Sequence, residues 1–108
     1  MAKRDYCQLW LTVSSKEEAD EIANTLLVKH LVACVKHVSI TSDFNWQSKI
    51  ENSKEVLLVM DSALELFDEI ENEVKKLHSY DTFVLQAVPV TKVSKDAEKW
   101  LKSELKNA

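Results

Sequence analysis

Residues 33–61 read ACVKHVSITSDFNWQSKIENSKEVLLVMD, and the way this stretch divides decides the fold. The pattern is β-like through VACVKHVSI, pauses at the polar Thr41-Ser42-Asp43 and resumes through FNWQSKI, as one long bent strand from Ala33 to Glu51 would. Asn52-Ser53-Lys54 then offers turn chemistry before EVLLVMD, a continuous apolar run suited to a sheet centre. The two runs are expected to pair as a long hairpin.

Upstream, Cys7 to Val13 (CQLWLTV) alternates and is rich in strand formers, and Ser15 with Glu18 three residues later spells a capping box. Ala19, Ile22, Ala23, Leu26 and Leu27 share one face of the helix that follows, which should end near His30. Downstream, Leu64, Phe67, Ile70, Val74 and Leu77 form the stripe of a second helix over Ala63 to Leu77, its acids ahead of its lysines as the helix dipole favours. Phe83 to Val90 (FVLQAVPV) reads as a fourth strand, with Pro89 marking its end or an edge. Asp96 is expected to cap a last helix carrying Ala97, Trp100, Leu101 and Leu105. The order β-α-β-β-α-β plus a C-terminal helix is the ferredoxin-like split βαβ sandwich of the α+β class, two helices covering one face of an antiparallel sheet. Residues 1–108 are expected to form a single domain without repeat or linker.

At 108 residues, 45% apolar and 30% charged, the chain has the composition of a folded globular protein. Its net charge is −4 and its lysines alternate with acids, so a phosphate backbone finds no basic footprint and nucleic acid is not an expected partner. No apolar run reaches the roughly 18 residues of a membrane span, and MAKRDYCQLW lacks the long apolar region of a signal peptide. No membrane is expected as a partner, and the expected compartment is the cytoplasm. Cys7 and Cys34 have no CxxC spacing and read as small buried hydrophobes. The sequence contains no glycine at all. Dinucleotide fingerprints, phosphate loops and GxSxG elbows all need backbone that only glycine can bend or bring close, so those enzyme classes are excluded.

Taken in order, these segments resemble the CutA divalent-cation-tolerance family. LVACVKHV is similar to that family's run ending in Ala-Cys-Val. FNWQSKIE resembles its aromatic-Trp-x-Gly-Lys-(Ile/Leu)-Glu segment through Trp46, Lys49, Ile50 and Glu51, and EVLLVMD follows at the family's distance. LHSYD resembles its His-Pro-Tyr-(Glu/Asp) motif through His78, Tyr80 and Asp81, QAVPV its Leu-Pro strand, and Trp100 lies near its C-terminal Trp. Ser48 stands in place of the segment's glycine and Ser79 in place of the motif's proline. The family's Pro-Gly in the long strand is absent, so any bend is built differently. Leu11 and Leu77 stand where some members carry a cysteine proposed as a copper ligand and a second histidine, which leaves His78 of that trio. The resemblance implies a non-enzymatic homotrimer associated with tolerance of divalent metal ions, copper in particular. Its sheets would pack around a threefold axis, its long hairpin would reach onto a neighbour, and an intersubunit cleft would hold Trp46, Lys49, Glu51, Tyr80 and Asp81.

The residues themselves supply few alternatives. Cys7, Cys34, His30, His37 and His78 are the soft or imidazole donors. Cys34 and His37, three apart on a strand, point to opposite faces and cannot chelate together unless the strand bulges. It is the resemblance that makes His78 the candidate ligand for a weakly held copper or other divalent ion. With Tyr80 and Asp81 it could act as an acid–base cluster, but a histidine closing a helix is explained by the dipole, and no nucleophile arrangement accompanies it. Trp46 and Lys49 could wall a small-anion site, although a tryptophan on a long hairpin is more often an oligomer contact. Ser14 and Ser15 precede a helix that could receive an anion, yet capping accounts for Ser15. The alternative function is a trimeric small-molecule sensor of the nitrogen-regulatory (PII-like) type, binding its ligand between subunits.

Overall fold

A computed structural model describes residues 4–107. Its elements run β1 (Tyr6–Val13), α1 (Lys16–Val28), β2 (Cys34–Trp46), β3 (Lys49–Ala63), a 3-10 turn (Leu64–Leu66), α2 (Phe67–Leu77), β4 (Leu85–Pro89) and α3 (Lys95–Glu104). Among the described residues the strands form one four-stranded sheet in the order β2-β3-β1-β4, and every neighbouring pair is antiparallel. The α+β order read from the sequence is the order observed.

Strand alternation places the core. Leu9, Leu11 and Val13 of β1 pair in register with Met60, Leu58 and Val56 of β3 on the helix-covered face. Against them pack Ala19, Ile22 and Leu26 of α1 and Ile70 and Val74 of α2, all fully buried. Each such Leu or Ile contributes roughly 1.5–3 kcal/mol of hydrophobic stabilisation. On the opposite face, Trp10, Val38 and Val88 remain exposed.

The hairpin differs from the sequence reading. Its reversal is at Gln47-Ser48, not at Asn52-Ser53-Lys54, and both central residues have positive φ, 49° and 66°. A two-residue turn of this hand matches the right-handed twist of the flanking strands. The expected bend at Thr41-Ser42-Asp43 is absent, because those residues pair with Lys54, Ser53 and Asn52 in an unbroken ladder. Asn52 Nδ2 donates to Asp43 Oδ1 at 2.6 Å across it. Glu51 therefore belongs to β3, not to the first strand. Polar residues here mark a ladder that has left the core, since β1 pairs with β3 only from Val56 onward. Beyond that point seven β2–β3 pairs, from Ile40 with Glu55 to Trp46 with Lys49, form a free two-stranded arm. The arm stretches the molecule to 50 Å against 25 and 21 Å across.

The helix ends also show how a chain without glycine closes. After α1, His30 adopts φ 57°. Its N–H donates to Leu27 O and that of Leu31 to Leu26 O, both at 3.0 Å, which is the Schellman closure in which glycine is usual. The second helix begins later than expected, Ala63 closing β3 and a 3-10 turn intervening. The last helix is entered at Ser94 and not at Asp96, which lies in its first turn where an acid complements the dipole.

Candidate functional site

The segment after α2 crosses the end of the sheet and carries the family-like motif. His78 ends the helix in extended conformation, and its side chain is fully buried. Its Nε2 lies 2.9 Å from Thr12 O, and its Nδ1 lies 3.0 Å from the Tyr80 backbone N. Glu18 Oε1 stands 3.1 Å from the same Nδ1. Phe83 stacks on the ring at 5.0 Å between centroids, and Tyr80 leans on it at 4.9 Å.

Glu18 holds the same segment from the other side. Its backbone N–H donates to Ser15 Oγ at 3.2 Å, completing one half of the capping box. Its carboxylate turns away from Ser15. Oε2 accepts from Ser14 Oγ at 2.6 Å and Ser79 Oγ at 2.7 Å, and Oε1 accepts from Ser79 N–H at 3.1 Å. Burial alone would raise the pKa of this carboxyl. The Ser14 and Ser79 hydrogen bonds and the His78 ring outweigh burial and hold it below its usual range. Serine at position 79 matters here, since a proline would supply neither the N–H nor the hydroxyl.

So clamped, Tyr80 reaches back to the sheet, where its hydroxyl donates to Glu55 Oε2 at 2.7 Å. Burial, followed by that hydrogen bond and the charges of Glu55 and Glu18, pushes the phenol up to about 12. Tyr80 and Glu55 form one side of a groove of about 820 Å3 on the face opposite the helices. Phe44, Trp46 and Glu51 of the arm line its outer part, and Asp81 and Val84 its rim. Thus Trp46, Glu51, Tyr80 and Asp81 line one groove of a single chain. Lys49, across from Trp46 at the hairpin tip, is not among the lining residues, and His78 supports the groove from within the protein.

Two residues of this arrangement went unread in the sequence. Glu55 looked like the polar start of an apolar strand, and only the true position of the turn places it beside Tyr80. Glu18 was visible as a capping residue, but its side chain serves the 78–80 segment. The remaining donors are dispersed. Cys7 is buried, and burial with the charge of Asp61 pushes its thiol up to about 11. Cys34 and His37 alternate to opposite faces as expected, Cys34 pairing with Asp61 and His37 with Leu58 in the ladder. Among the described residues, no three His, Cys, Asp or Glu side chains gather to hold a metal ion.

Residues 7–104 match the family model described as CutA1 divalent ion tolerance protein. The divalent-cation tolerance protein CutA of Archaeoglobus fulgidus is 39% identical over 86% of this chain and 91% of its own length. That of Pyrococcus horikoshii is 32% identical over 91% and 96%. Among solved structures, CutA1 from Oryza sativa superposes with a TM-score of 0.94, at 27% identity over 97% of both chains. The Archaeoglobus fulgidus structure, described as a periplasmic divalent cation tolerance protein, gives 0.91 at 36% identity over 94% of this chain and 99% of that one. These similarities do not favour the nitrogen-regulatory alternative. Among the described residues, no helix is long and apolar enough to cross a membrane.

Proposed function

This chain belongs to the CutA1 divalent ion tolerance protein family, and from that premise we propose that it acts as a non-enzymatic homotrimer in the tolerance of, or response to, divalent metal ions, copper among them. The observation that carries the reading is the bare arm. A two-stranded hairpin is marginal by itself in water. This one also presents Trp46, half exposed, and Ile50, 81% exposed, at its end, and β2 leaves a long unprotected sheet edge. A closed ring of copies covers edge, arm and the uncovered sheet face around Trp10 at once. In that assembly the groove of Trp46, Glu51, Tyr80 and Asp81 becomes a cleft between subunits, with Lys49 at its outer lip.

The whole of residues 1–108 acts as one such domain in this reading. Its two free thiols, Cys7 and Cys34, suit the reducing cytoplasm in which we place it. His78 is the ligand that the family resemblance offers to copper. Because both its ring nitrogens are engaged inside the subunit, copper capture there requires release of the Thr12 carbonyl or the Tyr80 amide. Calorimetric titration with copper of the native chain and of His78→Ala tests the metal role. Weak binding lost in the variant supports His78. Binding that survives the substitution assigns the metal elsewhere, and no heat with any divalent ion overturns the metal reading.

A further inference from the structure

The three histidines differ in how far their ring nitrogens are committed. His78 is fully buried with both nitrogens engaged, and Nδ1 of His30 lies 2.9 Å from Glu104 O. His37 is different. It sits on β2, the outermost strand, across from the buried Leu58, so alternation turns its ring to the helix side of the sheet and away from Trp10 and Val38. There it meets Asp20, which α1 carries on its exposed side between the buried Ala19 and Ile22. His37 Nδ1 lies 3.8 Å from Asp20 Oδ1, with the histidine side chain 38% and the aspartate 54% exposed. Among the described residues neither nitrogen of His37 has a hydrogen bond. Lys16 takes the other oxygen of Asp20, Oδ2, at 3.0 Å, which leaves Oδ1 to face the ring. An imidazole and a carboxylate oxygen held opposite each other in solvent, with no hydrogen bond between them, are two metal donors ready to share one ion.

We infer that His37 and Asp20 together hold a copper(II) ion at the rim of the subunit, with His37 Nδ1 and Asp20 Oδ1 as adjacent ligands and water in the remaining positions. Two donors bonded to one ion at about 2.0–2.1 Å each stand at most about 4.2 Å apart. The observed 3.8 Å is inside that limit, and closing the pair by about 1 Å gives the right angle of tetragonal copper. The exposed Asp20 side chain can make that movement without disturbing the core. Copper(II) is the divalent ion this donor set favours. Magnesium and calcium take oxygen ligands, and affinity for nitrogen and oxygen donors rises through the first-row metals to copper. A protein zinc site calls for three or four side chains, and among the described residues no third His, Cys, Asp or Glu joins the pair. Glu17 and Glu21, exposed on α1 near Asp20, add negative field, while Lys16 opposes it. This site rests on the proposed metal role and gives it a location separate from His78. Both ligands belong to one subunit, on the side of the sheet opposite Trp10 and Val38.

The full chain is titrated calorimetrically with copper(II) chloride in a non-coordinating buffer, alongside His37→Ala, Asp20→Asn, Lys16→Gln and His78→Ala. The copper-loaded samples are then examined by electron paramagnetic resonance. The native chain is expected to bind copper at a site that survives His78→Ala and shows a single nitrogen ligand in a tetragonal field. His37→Ala should weaken that site about tenfold or more, and Asp20→Asn about tenfold. Lys16→Gln should tighten it about threefold, more at low salt, because a neighbouring positive charge is removed. Misfolding cannot produce such a gain. Affinity unchanged in His37→Ala overturns the inference, and a loss there that Asp20→Asn does not share overturns the pairing. Loss of all binding in His78→Ala overturns the site and leaves the metal role standing. A native chain that binds no copper overturns both.

Discussion

At the scale of single residues, the protein is held by side chains that do a second task. Glu18 starts as a helix-capping residue and ends as the acceptor that ties the 78–80 segment to α1. Removing it with Glu18→Ala leaves Ser79 N–H and two hydroxyls without their charged acceptor. Chemical denaturation at pH 7 should show a loss of about 2 kcal/mol. Because the folded protein holds this carboxyl below its ordinary 4.5, the stabilisation is complete above that value and disappears as pH falls through the lower folded value. The gap between native chain and variant should therefore be constant near neutrality and close in acid. A gap that stays constant down to pH 2 would show that the tie does not depend on the charge. The identity of Glu18 was legible in its spacing from Ser15, but its clamp was not, since Ser79 is 61 residues away in sequence and only the fold brings the two together.

At the scale of elements, the absence of glycine has a measurable cost. His30, Gln47 and Ser48 all occupy the left-handed region. A residue with a Cβ pays roughly 1–2 kcal/mol there. Glycine at the second turn position should recover part of it, the rest being offset by the greater freedom of the unfolded chain. Ser48→Gly is expected to stabilise the hairpin by about 1 kcal/mol, read as a higher denaturation midpoint with an unchanged slope. A destabilised variant would contradict the turn geometry. The same turn explains where sequence reading failed. Strand and helix identities followed from periodicity, as in the alternation of Leu9, Leu11 and Val13. The reversal did not, because Gln-Ser carries no turn signature, whereas Asn52-Ser53-Lys54 does. In the arm both faces meet solvent within one chain, so polarity no longer separates ladder from loop. Glu55 was lost from the site for that reason, since its partnership with Tyr80 depends on register.

At the scale of the whole molecule, the structure is a compact helix-covered sheet with an arm that the chain's own core does not cover. The core accounts for the fold, as Leu11, Leu58, Ile22 and Ile70 are all fully buried on one side of the sheet. It does not account for Trp10, Val38, Phe44, Trp46 and Val88, which remain exposed and large. Burial of such surface between copies is the physical basis of the proposed trimer, and it gives the groove its second wall. The most direct test is the mass of the native chain in solution, measured by light scattering at micromolar concentration. The account predicts three times the 12.4 kDa of one chain. A particle of 12.4 kDa, with the arm bare in water, would contradict it.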